Sequence, residues 1–504
     1  MVVTLQRLLT FRQTMSGRIN SANLGLQLGQ TPYTTRMMSG ASWIGFLTSN
    51  YINFFVLREN ALQNQENIER LKSIVQTLLD EAKKQGATAT EAGLSQEDGL
   101  SITARMGEVE TIEHHCDQGL GITVYFGKRK GSASTTDLSP NAIKETVSAA
   151  CSIARYTSED AFAGLPDEEL LATDFPDLDL NHPWALTADE AIALTIECEA
   201  AALSFHPDIT NSEGASVNTH QGIRVMGNSL GFLQGSLSTR HSLSCSVVAQ
   251  HGDSMQRDYW YSVARKANAL EAAATIGKKA AERTIRRLDA QRLSTRQCPV
   301  LYCAEIASGL LGSLMGAISG GNLYRKSTFL LDALDTQIFP DFIHIHEQPL
   351  LKGALGSSAY DGEGIATQTR DIVRDGYLRG YVLSTYSARK LGMQSTGNAG
   401  GVHNLTITPG VRDFQAMLKQ LSTGLLATEL MGQGVNMVNG NYSRGAAGFW
   451  VEHGEIQYPV EEITIAGNLK DMFKNLVAVG NDVDYRGNIR TGSILIERMS
   501  IAGE

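Results

Sequence analysis

Histidines are the residues whose type and spacing could build a hydrolytic metal site. A zinc protease places two imidazoles on one helix, with a carboxylate beside them to activate water. None of the eleven histidines falls in an HExxH or HExxxH pattern. The nearest approach is FIHIHEQP, where His344 and His346 would lie on one side of an extended segment next to Glu347. Two histidines without a third ligand favour an ordinary strand edge over a metal site.

Serine-based and nucleotide chemistry are equally poorly supported. GNSLG at 227–231 matches the GxSxG pattern, but it lies between two strand-like runs, so we interpret it as a hairpin turn. Ser387 and Lys390 form an SxxK pattern without the accompanying KTG or SDN motifs. No GxxxxGK[ST] phosphate loop is present. Short motifs alone therefore assign no catalytic residue.

Composition limits the class of protein. A chain of 504 residues exceeds the size of one hydrophobic core, so two domains are expected. The net charge of -10 argues against nucleic acid as the main partner. Six cysteines without a CxxC pair favour free thiols and a cytoplasmic location, and no apolar run is long enough to cross a membrane.

The first half of the chain shows clear helix and strand signals. Apolar residues at three- and four-residue steps predict a helix over 67–84. Strands are expected over 99–112 and 119–126, followed by a basic turn, GKRKG, at 127–131. Ser139 before Pro140 predicts a helix that runs to about residue 156.

Later segments complete the predicted architecture. Thr187 and Glu190 form a capping box at the start of another helix, and a further helix is expected over 268–288. Beyond it the chain is rich in glycine and in strand-like runs. The predicted fold class is α+β, with an α/β N-terminal domain followed by a mostly antiparallel, β-rich C-terminal domain.

Domain boundaries follow from these shifts in pattern. We expect an N-terminal α/β domain over 61–290 and a β-rich domain over 291–504. Residues 1–60 have no sustained period and are expected to be an unstructured extension or to follow from a mis-assigned start.

One segment combines a strand with an unusual helix. PVLYCA at 299–304 leads into EIASGLLGSLMGAISGG at 305–321, a helix-like run containing several glycines and serines. Each glycine inside a helix costs about 1 kcal/mol relative to alanine, so a contact must offset them. Close packing against a neighbouring sheet is the favoured interpretation, and a ligand channel is the alternative.

Eight sequence blocks together resemble the TldD/PmbA metalloprotease family, on the PmbA (TldE) side, over residues 65–504. They are MGEVETIE (106–113), GLGITVY (119–125), KGSASTTDLSP (130–140), YRKSTFLLD (324–332), STYSARKLG (384–392), TELMGQGV (428–435), YSRGAAGFWVE (442–452) and ITIAGNLKDM (463–472). The resemblance implies a cytoplasmic heterodimer in which a TldD-type subunit supplies zinc. It also implies action on unfolded or leader-type peptides, including peptide-antibiotic precursors and antitoxins.

The same resemblance implies that this chain lacks its own zinc site. Aligned on the YRKST block, the HExxxH ligand and base positions fall on Gly312, Ser313 and Ala317, and the later cysteine ligand falls near Thr491. None of these residues is a zinc ligand of the required kind. We therefore expect no cofactor in this chain, zinc in the partner subunit, and no activity of this chain alone.

Three residues are predicted to contact the partner or the peptide, and two alternative functions remain open. His403, Glu429 and Arg444 lie among glycine-rich loops and are predicted to contact the partner or the peptide. The chain alone could form a homodimer. The alternative functions are a non-catalytic scaffold that binds extended peptides at sheet edges, and a modulator of DNA gyrase suggested by the family resemblance.

Overall fold

The computed structural model describes residues 64–503, and the predicted extension over 1–60 lies outside this range. The helices are α1 (64–84), α2 (Pro140–Tyr156), α3 (Ala188–Leu203), α4 (Ala273–Ile285), α5 (Ala304–Ala317), α6 (Gly320–Tyr324), α7 (Thr385–Leu391), α8 (Phe414–Leu421) and α9 (Leu469–Lys474). The strands are β1 (Ala89–Arg105), β2 (Glu108–Phe126), β3 (Arg129–Thr135), β4 (Ile209–Asn228), β5 (Leu233–His251), β6 (Ser254–Ala264), β7 (Arg296–Tyr302), β8 (Ile345–Glu347), β9 (Arg370–Arg374), β10 (Tyr377–Leu378), β11 (Leu405–Ile407), β12 (Gly424–Met431), β13 (Asn441–Glu452), β14 (Glu455–Asn468), β15 (Leu476–Val479), β16 (Ile489–Arg490) and β17 (Ile494–Ala502).

The first six strands form one antiparallel sheet in the order β3-β2-β1-β4-β5-β6. Alternate residues of a strand point to opposite faces, so each long strand contributes to two different surfaces. One face is apolar, and α1 and α2 pack on one end of it while α3 and α4 pack on the other. The opposite face is polar: the Ser101 hydroxyl donates to Asn218 Oδ1 at 2.7 Å, and the hydroxyls of Thr103 and Ser216 lie 2.8 Å apart.

The chain after residue 295 forms two further sheets. The larger has the order β14-β13-β12-β7-β17-β15, and it closes into a barrel because β14 also pairs with β17. Only β7 and β12 are parallel neighbours among its described pairings. The smaller sheet has the order β10-β9-β8-β11-β16. This mixture of helices with mostly antiparallel sheets confirms the predicted α+β class.

Several local predictions are confirmed. The helix predicted over 67–84 corresponds to α1. The Ser139 side chain accepts a hydrogen bond from the Ala142 NH at the start of α2, and Thr187 with Glu190 forms the capping box of α3. GNSLG forms the β4–β5 hairpin, in which Asn228 Oδ1 accepts from the Leu230 NH at 3.0 Å.

Three predicted elements have other boundaries in the structure. The strand predicted to begin at 119 is the second part of β2, which begins at Glu108. The strand predicted over 99–112 is interrupted because the chain reverses at Met106 and Gly107, with φ of 52° and 81°. Their NH groups donate to the Glu199 carboxylate at 2.9 and 2.8 Å, and this tertiary contact from α3 stabilises the turn. The helix predicted over 268–288 is limited to α4, Ala273–Ile285.

Candidate functional site

Helix α5 is the centre of the candidate site. It follows β7, which lies between β12 and β17 in the barrel wall. The helix begins directly after Cys303, which is its N-cap residue. Leu310, Leu311 and Leu314 are buried in cores of the C-terminal part. A row of leucines therefore fixes one side of the helix against the barrel.

The other side of α5 is open. Outside the backbone of its own helix, a Cβ atom added at Gly309 or Gly312 would meet no described atom within 4 Å, and one at Gly316 would meet only the Met437 side chain, at 3.1 Å. The close-packing interpretation is therefore wrong for the first two glycines. The leucines make the contact with the barrel, so these glycines have no packing role inside residues 64–503.

The predicted zinc-motif positions do not converge on one surface. Gly312 faces open space, whereas Ala317 is fully buried in the core. The Ser313 hydroxyl donates to the Gly309 carbonyl at 3.0 Å. These positions are on one helix, but they do not share a common exposed face.

Thr491 lies close to this helix, because β16, which precedes it, packs against α5. It is completely buried, and its hydroxyl donates to the Gly492 carbonyl at 2.8 Å. The position thus supplies a hydroxyl that is already engaged, not a thiolate.

Glu429, predicted as a partner or peptide contact, is engaged within the chain. Its carboxylate lies 2.5 Å from Arg287, which follows α4. Arg287 also pairs with the buried Asp258 at 3.4 Å. The side chain of Glu429 is 38% exposed, so it lies at the rim of this network.

The network continues to the first turn of α5, a feature that the sequence did not reveal. Arg283 pairs with Asp258 and with Glu305, both at 3.3 Å. The Arg486 guanidinium lies 4.2 Å from the ring centre of Trp260, and these groups line a cavity of about 570 Å³. The partners come from distant parts of the chain, so no short motif could have identified them.

Arg444 lies on β13, next to the strand that carries Glu429. One of its terminal nitrogens donates to the Leu430 carbonyl at 3.4 Å. Its Nε atom is buried without a hydrogen-bond partner within residues 64–503. The structure therefore brings Arg444 and Glu429 onto neighbouring barrel strands.

His403 is located elsewhere, above a buried carboxylate. Its backbone NH donates to Glu347 at 2.6 Å, and Glu347 also accepts from Arg370 at 3.1 Å and from Asn398 at 2.8 Å. Burial lowers the pKa of the His403 imidazole below its usual range, which favours the neutral form at neutral pH. His403 lines a cavity of about 1190 Å³.

The other candidate motifs have structural roles. The rings of His344 and His346 do lie together, with centres 5.3 Å apart, and His344 Nε2 is 3.0 Å from Asp371. Ser387 belongs to the capping box at the start of α7, so its hydroxyl is used locally. Within residues 64–503, no group of three or more His, Cys, Asp or Glu side chains is arranged to hold a metal ion.

Comparison with known proteins gives consistent matches along the chain. Three models match: PmbA/TldA metallopeptidase domain 1 over 90–154, the central domain over 181–288, and the C-terminal domain over 295–503. The chain is 54% identical over 436 residues to "Metalloprotease PmbA" of Escherichia coli O157:H7, covering 86% of this chain and 96% of that protein. A "Metalloprotease PmbA homolog" of Haemophilus influenzae is 49% identical, and the match covers 86% of this chain and 96% of that protein.

A solved structure agrees with these matches. It is a candidate modulator of DNA gyrase from Bacteroides thetaiotaomicron, with a TM-score of 0.82 and 28% identity over 86% of this chain and 99% of that one. Together these similarities define a metallopeptidase-type fold. The chain belongs to the PmbA/TldD metallopeptidase family.

Family membership implies a metal, and the residues at the positions predicted to match the zinc motif do not fit zinc. Gly312 and Ala317 have no donor atom, and the hydroxyls of Ser313 and Thr491 are hydrogen-bonded within the chain. Zinc in proteins is held by imidazole, thiolate or carboxylate groups.

No helix within the described range combines the length and apolarity that crossing a membrane requires.

Proposed function

We propose that this chain is the zinc-less subunit of a cytoplasmic two-subunit metalloprotease, in which a TldD-type partner supplies the zinc. The complex degrades or processes unfolded and leader-type peptides, including peptide-antibiotic precursors and antitoxins. The observation that carries the proposal is the chemistry of Gly312, Ser313, Ala317 and Thr491, which lack zinc donors in a chain otherwise 54% identical to a protein called a metalloprotease.

The open side of α5 supports a role in an assembly. Glycine in a helix interior is destabilising by about 1 kcal/mol relative to alanine, and Gly309 and Gly312 gain no internal packing in return. A close approach by another backbone would explain them, because a side chain at either position would hold that backbone away. We assign the role of this neighbour to the TldD-type subunit.

The six cysteines support the cytoplasmic assignment, because all six are described and none forms a disulfide. We also propose the domain division 61–290 and 291–504, which places the six-stranded sheet before the boundary and the barrel after it.

The test compares three samples: this chain alone, the TldD-type partner alone, and the two together. We expect zinc in the partner and in the complex, and cleavage of an unstructured peptide by the complex only. Stoichiometric zinc with full proteolysis by this chain alone would overturn the proposal. Full activity of the partner alone would show that this chain is not needed.

Variants of α5 make the assembly part of the proposal specific. Gly309→Leu and Gly312→Leu should fold, because each Cβ meets open space, and should weaken association with the partner at least tenfold in an analytical ultracentrifugation titration. The control is Met106→Leu, at an exposed turn in the N-terminal sheet. Unchanged association of both glycine variants would exclude this face as the contact.

The same three samples distinguish the scaffold alternative from the protease proposal. A chain that binds the peptide as a homodimer, with no cleavage in the presence of the partner, would favour a non-catalytic scaffold. The gyrase alternative is suggested by the description of the Bacteroides relative. It predicts a change in gyrase supercoiling activity when this chain is added without its partner.

A further inference from the structure

Two partly buried arginines in the C-terminal part have no ion-pair partner within the described part of the chain. They are Arg444 on β13 and Arg490 on β16, and in each of them the Nε atom is buried without a hydrogen-bond partner there. Arg287, Arg370 and Arg486 are also partly buried, and each of them pairs with a carboxylate. The fold therefore neutralises these three arginines but leaves Arg444 and Arg490 uncompensated.

The uncompensated charges cost free energy in the isolated chain. A guanidinium stays protonated at physiological pH, and its burial is unfavourable unless a counter-ion or several hydrogen bonds offset it. Burial lowers the pKa of the Arg490 guanidinium, and the nearby Tyr485 hydroxyl opposes that shift. Arg444 lies beside the neutral Tyr442 hydroxyl and donates to the Leu430 carbonyl at 3.4 Å, which is longer than a typical hydrogen bond. Neither arginine therefore has a counter-ion of its own.

The acidic side chains beside α5 are already paired with other arginines. They form three ion pairs: Glu305 with Arg283, Asp484 with Arg486, and Glu429 with Arg287. Moving any of these carboxylates to Arg444 or Arg490 would leave its present partner unpaired. The counter-ions are therefore expected from outside residues 64–503.

The two ends of the chain outside this range do not supply both charges. Residues 1–63 contain one acidic residue, Glu59, which could neutralise only one of the two arginines. Glu504 follows Gly503, where an added Cβ atom would lie 1.7 Å from the Leu293 carbonyl, ahead of β7. Helix α5 begins at the other end of β7. A separate molecule is therefore the expected source of the counter-ions.

Arg444 is linked to the last turn of α5. Its bond to the Leu430 carbonyl places it at the base of the loop between β12 and β13. Met437 of this loop lies beside Gly316, where an added Cβ atom would be 3.1 Å from the methionine side chain. Arg444 therefore lies toward the C-terminal end of α5.

Arg490 is linked to the first turn of the same helix. Its guanidinium carbon lies 5.6 Å from the Tyr485 ring centre, and Tyr485 lines a cavity together with Glu305 of that turn. The strand that carries Arg490, β16, also packs against α5. With 14 residues, α5 is about 21 Å long. One small anion therefore cannot neutralise both arginines.

Exposed apolar side chains accompany both arginines. Tyr485, beside Arg490, is 61% exposed, and Met431 and Val438, at the loop above Arg444, are 46% and 59% exposed. Arginine, tyrosine and methionine are enriched at protein–protein interfaces. A dissolved anion would neutralise a charge and leave these apolar groups in water, whereas a protein surface would cover both. The occupant is therefore a folded partner with carboxylates.

We infer that the surface of the TldD-type partner that covers α5 is acidic and places one carboxylate on Arg444 and another on Arg490. The inference rests on the proposed function, in which that partner contacts the open side of α5. It adds the chemistry of the contact: complementary charges at both ends of the helix fix the register of the partner and disfavour other proteins.

The first test removes the charges and measures two properties. Arg444→Met and Arg490→Met should each weaken association with the partner at least tenfold in an analytical ultracentrifugation titration at low salt. The difference from wild type should shrink at about 1 M salt, where the Debye length is about 3 Å. Urea unfolding of each isolated variant should show unchanged or higher stability, because an uncompensated charge is lost. Lower stability with unchanged association would assign the arginines to the fold and overturn the inference.

The matched control is Arg498→Met, which removes an exposed arginine from barrel strand β17. It should change association with the partner less than twofold at either salt concentration. A loss of association equal to that of Arg444→Met would show that any arginine of the barrel acts through the net charge of the chain, and it would overturn the inference.

Separate outcomes identify which idea fails. No association of the wild-type chain with the partner overturns both the proposed function and the inference. Association that is unchanged in both methionine variants overturns the inference alone. Unchanged association with a raised KM for peptide cleavage would assign the arginines to the peptide, and weaker self-association alone would assign them to a second copy of this chain. Either result also overturns the inference.

A second measurement keeps the positive charge and identifies the counter-ion directly. Arg444→Lys and Arg490→Lys place a primary amine at each position, and a carbodiimide joins an amine to an adjacent carboxylate as an amide, the water being taken up by the reagent. Mass spectrometry of the digested complex should show each lysine joined to an Asp or Glu of the partner. Arg498→Lys should give no such product. Products formed only within this chain would overturn the inference.

Discussion

The Glu429 carboxylate on barrel strand β12 lies 2.5 Å from the Arg287 guanidinium, which follows helix α4 of the N-terminal part. Arg287 is only 15% exposed and also pairs with the buried Asp258. The contact therefore joins the helix layer of the first sheet to the barrel. Glu429, which the sequence suggests as a partner or peptide contact, therefore forms an ion pair within the chain.

Glu429→Gln should lower the free energy of unfolding by about 1 kcal/mol, because Arg287 keeps one of its two carboxylate partners. Urea unfolding measures the change. The control is Asp335→Asn, which removes an ion pair with Arg379 whose side chains are 69% and 41% exposed and should cost less than about 0.5 kcal/mol. An equal effect of the two variants would contradict a structural role for Glu429.

Alanine at the open glycines of α5 should stabilise the isolated chain. Gly309→Ala and Gly312→Ala each add helix propensity without a clash, so the free energy of unfolding should rise by about 0.5–1 kcal/mol. Gly277→Ala in α4 is the matched contrast, because its Cβ would lie 1.9 Å from the Cys198 carbonyl. Overpacking there should cost about 2 kcal/mol or more. Destabilisation by all three variants would mean that α5 is packed on both sides.

Asp361 should make stability depend on pH in the mildly acidic range. Burial raises the pKa of its carboxyl to about 6, and NH groups such as that of Ala399, at 2.8 Å, offset burial only partly. Because the folded-state pKa lies above the unfolded one, this stabilising contribution is fully present below about pH 4 and is lost as the pH rises through 6.

The measurement compares wild type with Asp361→Asn from pH 4 to pH 8. The free energy of unfolding of wild type relative to the variant should fall by an amount on the order of 3 kcal/mol across this window. A difference that grows with pH would show that hydrogen bonding, not burial, dominates this carboxyl.

One of the six cysteines should react with a thiol reagent faster than the other five. Cys116 is exposed on β2, and the other five cysteines are buried. Burial raises the pKa of the Cys298 thiol to about 11 and that of Cys303 well above its usual range, so both stay protonated at neutral pH. Native protein should give one fast thiol with Ellman's reagent, and Cys116→Ser should abolish it. Two or more fast thiols would contradict the described packing.

The sequence by itself determined the local elements and the family. Ser139 before Pro140 and the Thr187–Glu190 pair mark helix starts because each cap uses atoms a few residues apart. The α+β class follows from such local patterns, since period and turn chemistry are written along the chain. The long matching blocks identify the family for the same reason.

Tertiary structure alone decided what each candidate residue touches. The turn at Met106 depends on Glu199, 93 residues further along, and its strand was therefore predicted wrongly. Whether the α5 glycines face a sheet or open space depends on where the leucines pack, which helix periodicity does not fix. Gly93 of β1 and Gly121 of β2 lie opposite each other only because the two strands pair in this register. Contacts between remote segments arise only when the chain folds.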